Sequence, residues 1–292
     1  MKPILVPTDF SDSAENAAWY ALHIARYMKT NIELCHAFLV PAEYSMAGQA
    51  AFPAYDYSTL KAETSAQLVD LARKLDEKNH TAASKYSFHP GIKCVSEAGV
   101  VPEIVGKLVE ENPKQLVVLG MSDIGATAKF ILGSSSRNLI EKGGFPLLLI
   151  PSGFAFNEVR KIAFATDLRA EDIKVLHSLA GFARYFDAEI VVTHVSDEKR
   201  QSNKHLKRED EFLSNITSKV DYDKIFFRRI NNSRVSEGLD WLSSHGHIDI
   251  LVMIHRPLGF LDRLFKGSYT KNQADHINIP LLVFPEGLHP LF

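Results

Sequence analysis

The residues best suited to chemistry lie between Gln115 and Ser136, QLVVLGMSDIGATAKFILGSSS. Leu116 to Leu119 form a short apolar run that predicts a buried strand, and Gly120 is expected to end it where the backbone turns or approaches something closely. Gly133-Ser134-Ser135-Ser136 then opens a helical pattern, SSSRNLIEKGG, whose first N–H groups have no intrahelical partner. Such N–H groups and the positive end of a helix dipole both favour an anion, so strand end, glycine and serine-rich helix start together make a candidate phosphate cradle. A glycine after a strand also serves simply to turn a corner, and the pattern alone leaves both readings open.

Other chemistry is less well supplied. Among 12 histidines the close pair is His245-Gly246-His247, with Asp249 as the nearby carboxylate and no cysteine. A helix-terminal turn explains that pair better than a metal site, so no metal is expected. No Gly-Lys-Ser/Thr follows a glycine loop, and no Gly-x-Ser-x-Gly elbow occurs, so neither P-loop hydrolysis nor a serine nucleophile is supported and no catalytic residue is named. The two cysteines, Cys35 and Cys94, fall in strand-like segments and read as inert buried thiols in a reducing compartment.

The bulk numbers are those of an ordinary soluble globular protein. A chain of 292 residues predicts two domains. The formal net charge is -2, which carries no electrostatic footprint for nucleic acid or an anionic membrane, so neither is expected as a partner. No apolar run approaches the roughly 20 residues of a membrane helix, and MKPILVPTD enters a strand-like segment without a signal-peptide pattern; a cytoplasmic location is expected.

The elements that must position the cradle read as alternating strands and helices. Residues 3–7 predict a strand, Thr8 to Ser13 supply several candidate N-caps, and a helix runs from about Ala14 to Met28 with Ala17, Ala18, Ala21, Leu22, Ile24 and Ala25 on its apolar face. A second strand enters at Ile32. Residues 40–59 have no clear period and read as a long loop, either a lid or a passive excursion. A helix from Leu60 to Asn79, an edge or kinked strand around IKCVSEA, a helix from Val101-Pro102 to near Pro113 and a last strand at 145–151 complete the half.

The same order begins again at Arg160. A shift of 158 places Thr8 on Thr166, Asp9 on Asp167, Ile32 on Ile190 and His36 on His194; later in each half a shift of 134 places Gly133-Ser134 on Gly267-Ser268 and Pro151 on Pro285. Constant offsets of this kind signal duplication. The chain is therefore expected to hold two tandem doubly wound α/β domains, 1–151 and 160–285, each a five-stranded parallel sheet flanked by helices, with ligand at the carboxyl ends of the strands. The short linker of about residues 152–159 suggests a pseudo-dimer within one chain, and a further homodimer of chains is left open.

In these residues the chain resembles the universal stress protein family in its tandem form. The likeness rests on Val6-Pro7-Thr8-Asp9-Phe10-Ser11, on Gly99-Val100-Val101-Pro102-Glu103-Ile104-Val105 and on Gly120 to Ser136. It implies an adenine nucleotide alpha hydrolase-like fold and a stress-response protein that binds ATP or AMP in the first domain as a sensor or scaffold. The family's nucleotide motif, Gly, two residues, Gly, nine residues, Gly, then Ser or Thr, finds Gly120, Gly133 and Ser134 here, with Asp123 at the second glycine. By resemblance Asp9 accepts from adenine, the backbone at Ala37 borders the ring, and Ser134, Ser135 and Ser136 contact phosphate; Pro7, Thr8 and Met121 line the same site, and Asp123 stands within it. Asp9 has an equal reading as a helix-capping residue beside Ser11. The second half keeps Asp167 but reads Ile254-His255-Arg256-Pro257 at its strand end, so it is expected to bind nucleotide poorly or not at all; Arg256, Arg263 and Lys266 read better as a solvated basic loop than as an anion site of another kind. The alternatives are a nucleotide-independent interaction protein with unidentified protein partners and, with least support, a slow ATP hydrolase.

Overall fold

The computed structural model describes residues 2–40, 57–81, 88–113, 116–123, 130–131, 134–197, 203–256 and 278–287. They fall into two compact units, Met1–Leu119 and Gly120–Phe292. In the first, β1 (Ile4–Pro7), α1 (Asp12–Met28), β2 (Ile32–Phe38), α2 (Tyr57–Thr81), β3 (Ile92–Ala98) and α3 (Val101–Glu111) lead to β4 (Leu116–Asp123). The strands pair in parallel in the order β3-β2-β1-β4, with Ile4 opposite Ile32 on one side and Leu116 on the other. Parallel neighbours need a crossover, and the helices supply it. Because α1, α2 and α3 all pack on β2, four successive residues of that strand, Ile32 to Cys35, are buried on both faces.

Local signals explain where α1 begins and ends. Ser11, in extended backbone, accepts a hydrogen bond from the Ala14 N–H, and Lys29 closes the helix in the left-handed region with φ 51°. The buried stripe contains all six residues predicted for it. Helix α2 is longer than the predicted 60–79; residues 41–56 of the expected loop lie outside the described residues, and 57–59 belong to the helix. At 25 residues α2 also exceeds its counterpart in the second half, which has 17, so part of the first half's extra length is helix.

Gly120 does not end its strand. β4 continues to Asp123 and pairs antiparallel with β5 (Phe130–Ile131), Ser122 opposite Ile131 and Asp123 opposite Phe130. Pairing gives the backbone past Gly120 a partner, so the chain has no need to turn there.

The second unit continues with α4 (Ser134–Lys142), β6 (Leu147–Pro151), β7 (Lys161–Ala165), α5 (Asp172–Arg184), β8 (Glu189–Ser196), α6 (Asn203–Lys219), β9 (Ile225–Asn231), α7 (Val235–His245), β10 (Ile250–His255) and β11 (Leu281–Pro285). Five of its strands are parallel in the order β11-β10-β7-β8-β9. β6, from the first repeat, pairs antiparallel with β11, from the second, through Leu149–Leu281, Leu148–Leu282 and Leu147–Val283.

The duplication extends to the backbone torsions. Left-handed residues recur at Phe10 and Leu168, φ 64° and 59°, and at Lys29 and Asp187, φ 51° and 55°. Gly153 and Gly287, each two residues after the last strand of its half, have φ 65° and 76°. A non-glycine residue adopts this region at a cost, so its recurrence marks one turn geometry kept twice.

Close packing leaves little room where α7 lies over β8. A Cβ on Gly238 would stand 2.7 Å from Val195 Cγ1. Gly238→Ala is expected to destabilise the protein by about 1–3 kcal/mol through overpacking, read as a lower urea midpoint with an unchanged slope.

Candidate functional site

In the first unit the expected adenine-binding turn follows β1. Pro7 and Thr8 are buried, and the Thr8 N–H donates to the Cys35 carbonyl at 2.9 Å. The Thr8 hydroxyl oxygen accepts from the Phe10 N–H at 3.0 Å, and His36 Nδ1 meets the Thr8 carbonyl at 2.7 Å. A carbonyl only accepts, so the imidazole carries its proton on Nδ1, with Phe10 against the ring at 4.6 Å. Asp9 is exposed; its Oδ1 accepts from the Ser11 N–H at 3.0 Å and the Ser11 hydroxyl at 2.5 Å, while Ser11 itself caps α1. Asp9 is thus oriented by the cap and still presented to solvent. Ala37 is half-buried in β2, opposite Glu97 of β3.

The glycine and serine positions belong to the second unit. Gly120 and buried Met121 lie within β4, Asp123 has its backbone in the β4–β5 pair, and Gly133 lies outside the described residues. α4 opens on exposed Ser134, half-buried Ser135 and buried Ser136, with no acidic residue in its first turn to oppose an anion.

The second half repeats the first turn and then departs from it. His194 Nδ1 meets the Thr166 carbonyl at 2.8 Å, and the Thr166 hydroxyl oxygen accepts from the Leu168 N–H at 2.8 Å, matching His36, Thr8 and Phe10. Here, however, the Thr166 hydroxyl also donates to Asp172 at 2.5 Å, and Asp172 is fully buried. Its other oxygen takes Nη2 of Arg256, a residue 7% exposed at the end of β10. The guanidinium reaches Glu286 at 3.1 Å through Nε and Asp167 at 3.8 Å through Nη1; Arg169 lies 3.9 Å from each of those carboxylates.

Arg256 is therefore a buried, triply engaged side chain and not part of a solvated basic loop; Arg263 and Lys266, read with it, lie outside the described residues. Asp172 and Glu286 carried no motif. The repeat held the signal: Arg169, Asp172, Arg256 and Glu286 stand where the first half has Ser11, Ala14, Ser122 and Ser152.

The remaining candidates are structural. His36 and His194 tie the second strand of each half to the turn after the first, and His245 stacks on Trp241 at the end of α7 at 5.6 Å. Among the described residues no group of three or more His, Cys, Asp or Glu is placed to hold a metal, and no helix is long and apolar enough to cross a membrane.

A model of the universal stress protein family matches residues 1–151. The chain belongs to the universal stress protein family. It is 26% identical to universal stress protein Slr1230 of Synechocystis over 97% of its own length and the whole of that protein. A universal stress protein from Archaeoglobus fulgidus DSM 4304 superposes with a TM-score of 0.69 at 14% identity, covering 98% of both chains. A functionally unknown protein from Pseudomonas aeruginosa PAO1, PA1789, gives 0.56 at 14% identity, covering 98% of this chain and 93% of the other. Coverage of nearly the whole chain establishes the universal stress protein fold in tandem form.

Two outcomes follow from these contacts. Arg256→Met leaves the Asp172 carboxylate buried without its cation and should cost about 3–5 kcal/mol in chemical denaturation, whereas Asp172→Leu/Arg256→Met should recover most of that loss. Cys35 is buried as expected, but Cys94 is only half-buried; that partial burial raises its thiol above the ordinary value. A raised pKa leaves less thiolate, so at pH 8 Cys94 should be alkylated more slowly than free cysteine, with the deficit shrinking as pH rises through the shifted value.

Proposed function

We propose that this universal stress protein binds an adenine nucleotide, ATP or AMP, through its first domain, residues 1–151, and works as a ligand-responsive sensor or scaffold. The second domain, residues 160–285, serves as a non-binding partner in a pseudo-dimer within the chain. The observation that carries this reading is the contrast between the two turns after the first strands. Asp9 is held by Ser11 with its carboxylate exposed, whereas Asp167 shares its surroundings with Arg169 and Arg256. Support on the phosphate side comes from the three serines opening α4 without an acidic neighbour in the first turn.

Asp123 favours a second reading. Its backbone is committed to the β4–β5 pair at the motif position where a glycine would approach phosphate, and its carboxylate adds like charge. A nucleotide-independent interaction protein is the reading that follows if this cost prevails.

Isothermal titration separates the two. ATP and AMP should each titrate to one site per chain, weakened at least tenfold by Gly133→Asp; two equal sites would overturn the assignment to the first domain, and no heat at millimolar nucleotide would favour the second reading.

A further inference from the structure

We propose that Arg256 is the residue that closes the second half to adenine nucleotides, its guanidinium occupying the point in the sheet where such a ligand would lie. The inference takes its ligand class from the reading above and adds the device that makes the two halves unequal.

Position is the first argument. Parallel α/β sheets bind ligands outside the carboxyl ends of their strands, where the strand order reverses. In the order β11-β10-β7-β8-β9 that point lies between β7 and β10. Thr166 and Asp167 follow β7, and Arg256 follows β10, so the arginine stands at the reversal itself.

Volume is the second. The cavity bordered by Thr166, Asp167, His194, Ile254 and Arg256 holds about 50 Å³. That is room for roughly one or two waters, against the ~300–1,000 Å³ of a small-molecule pocket. An adjoining cleft beside Asp167, Ser196, His205 and Arg208 measures about 350 Å³. Among the cavities bordered by described residues, the one at the reversal point is too small for such a ligand and the larger one lies beside it.

Charge is the third. A lone arginine would attract a phosphate, but this guanidinium is matched by Asp172 and Glu286, with Asp167 at 3.8 Å. An incoming phosphate meets those carboxylates, and the guanidinium it would pair with is already matched. Nor can the side chain swing aside freely, because Asp172 is fully buried and would lose its only charged partner among the described residues.

The repeat supplies the fourth. Ala14 and Ser122 occupy the positions of Asp172 and Arg256 in the first half, so both members of the pair change together between halves. Neither first-half residue carries a charge, so the ion pair has no counterpart at those positions.

The test restores the first half's pair. Asp172→Ala/Arg256→Ser is made in the full chain carrying Gly133→Asp, so that the first domain's contribution is reduced, and ATP and AMP binding is followed by isothermal titration. Thermal melting checks that the variant folds; should it not, Asp172→Asn/Arg256→Ala carries the same expectation. The folded variant should bind adenine nucleotide at least tenfold more tightly than the Gly133→Asp parent, and adding Asp167→Ala should abolish the gain. A folded variant with no gain, or a gain that survives Asp167→Ala, overturns the proposal. Failure of the first-domain reading shows separately, as absence of binding by the unaltered chain, because the arginine's test reads only the increment over the Gly133→Asp parent.

Discussion

A parallel strand can be reached only by a crossover that returns to the starting edge of the sheet, and this constraint organises both units. Every strand-to-helix exit therefore leaves from a carboxyl end. β1 and β7 run beside two parallel neighbours each, so the turns after them leave from between those strands. The buried threonine in each turn uses its hydroxyl for the next backbone N–H and its carbonyl for a histidine from the adjacent strand. Burying such a turn is tolerable only when its polar groups are paired, and the Thr–His arrangement does this twice with the same geometry.

The two halves show which parts of a duplicated fold are fixed and which are free. Left-handed torsions at Phe10 and Leu168, residues of different size, persist because the chain must enter its first helix at one angle. The cap of that helix is not fixed in chemistry. Ser11 caps α1 with a neutral hydroxyl, whereas a buried carboxylate, Asp172, receives the Thr166 hydroxyl and the Arg169 N–H at the start of α5. α5 has no side-chain cap; the buried charge at its start demands a counter-ion, and Arg256 answers from just past β10, 84 positions away. Backbone geometry thus survives duplication while the electrostatics of the same site diverge.

Much of this was legible in the sequence. Apolar runs and helical periodicity located β1, α1, β2, α3 and β6, and the 158-residue shift found Thr166 and His194 because identical residues recur. β3 reads as an edge or kinked strand from its Pro90-Gly91 start, and of the two it is the edge: it lies at the end of the first unit's strand order. Periodicity did not extend β4 past Gly120, since Ser122 and Asp123 are polar and owe their strand state to pairing with Ile131 and Phe130. Nor did it reveal the role of Arg256, whose burial depends on three carboxylates distributed between α5, the turn before it and the turn after β11. Local pattern reports what a residue's sequence neighbours need, and a buried ion pair is a requirement set by distant ones.

The antiparallel seam of β6 and β11 joins leucines of one repeat to leucines and a valine of the other. Between separate molecules such a pairing weakens on dilution. Here both strands belong to one chain, so their pairing is intramolecular even though the whole second half from β7 to β10 lies between them. The seam consequently obeys first-order kinetics: its closure rate and its occupancy are properties of the chain and do not vary with how much of the protein is made.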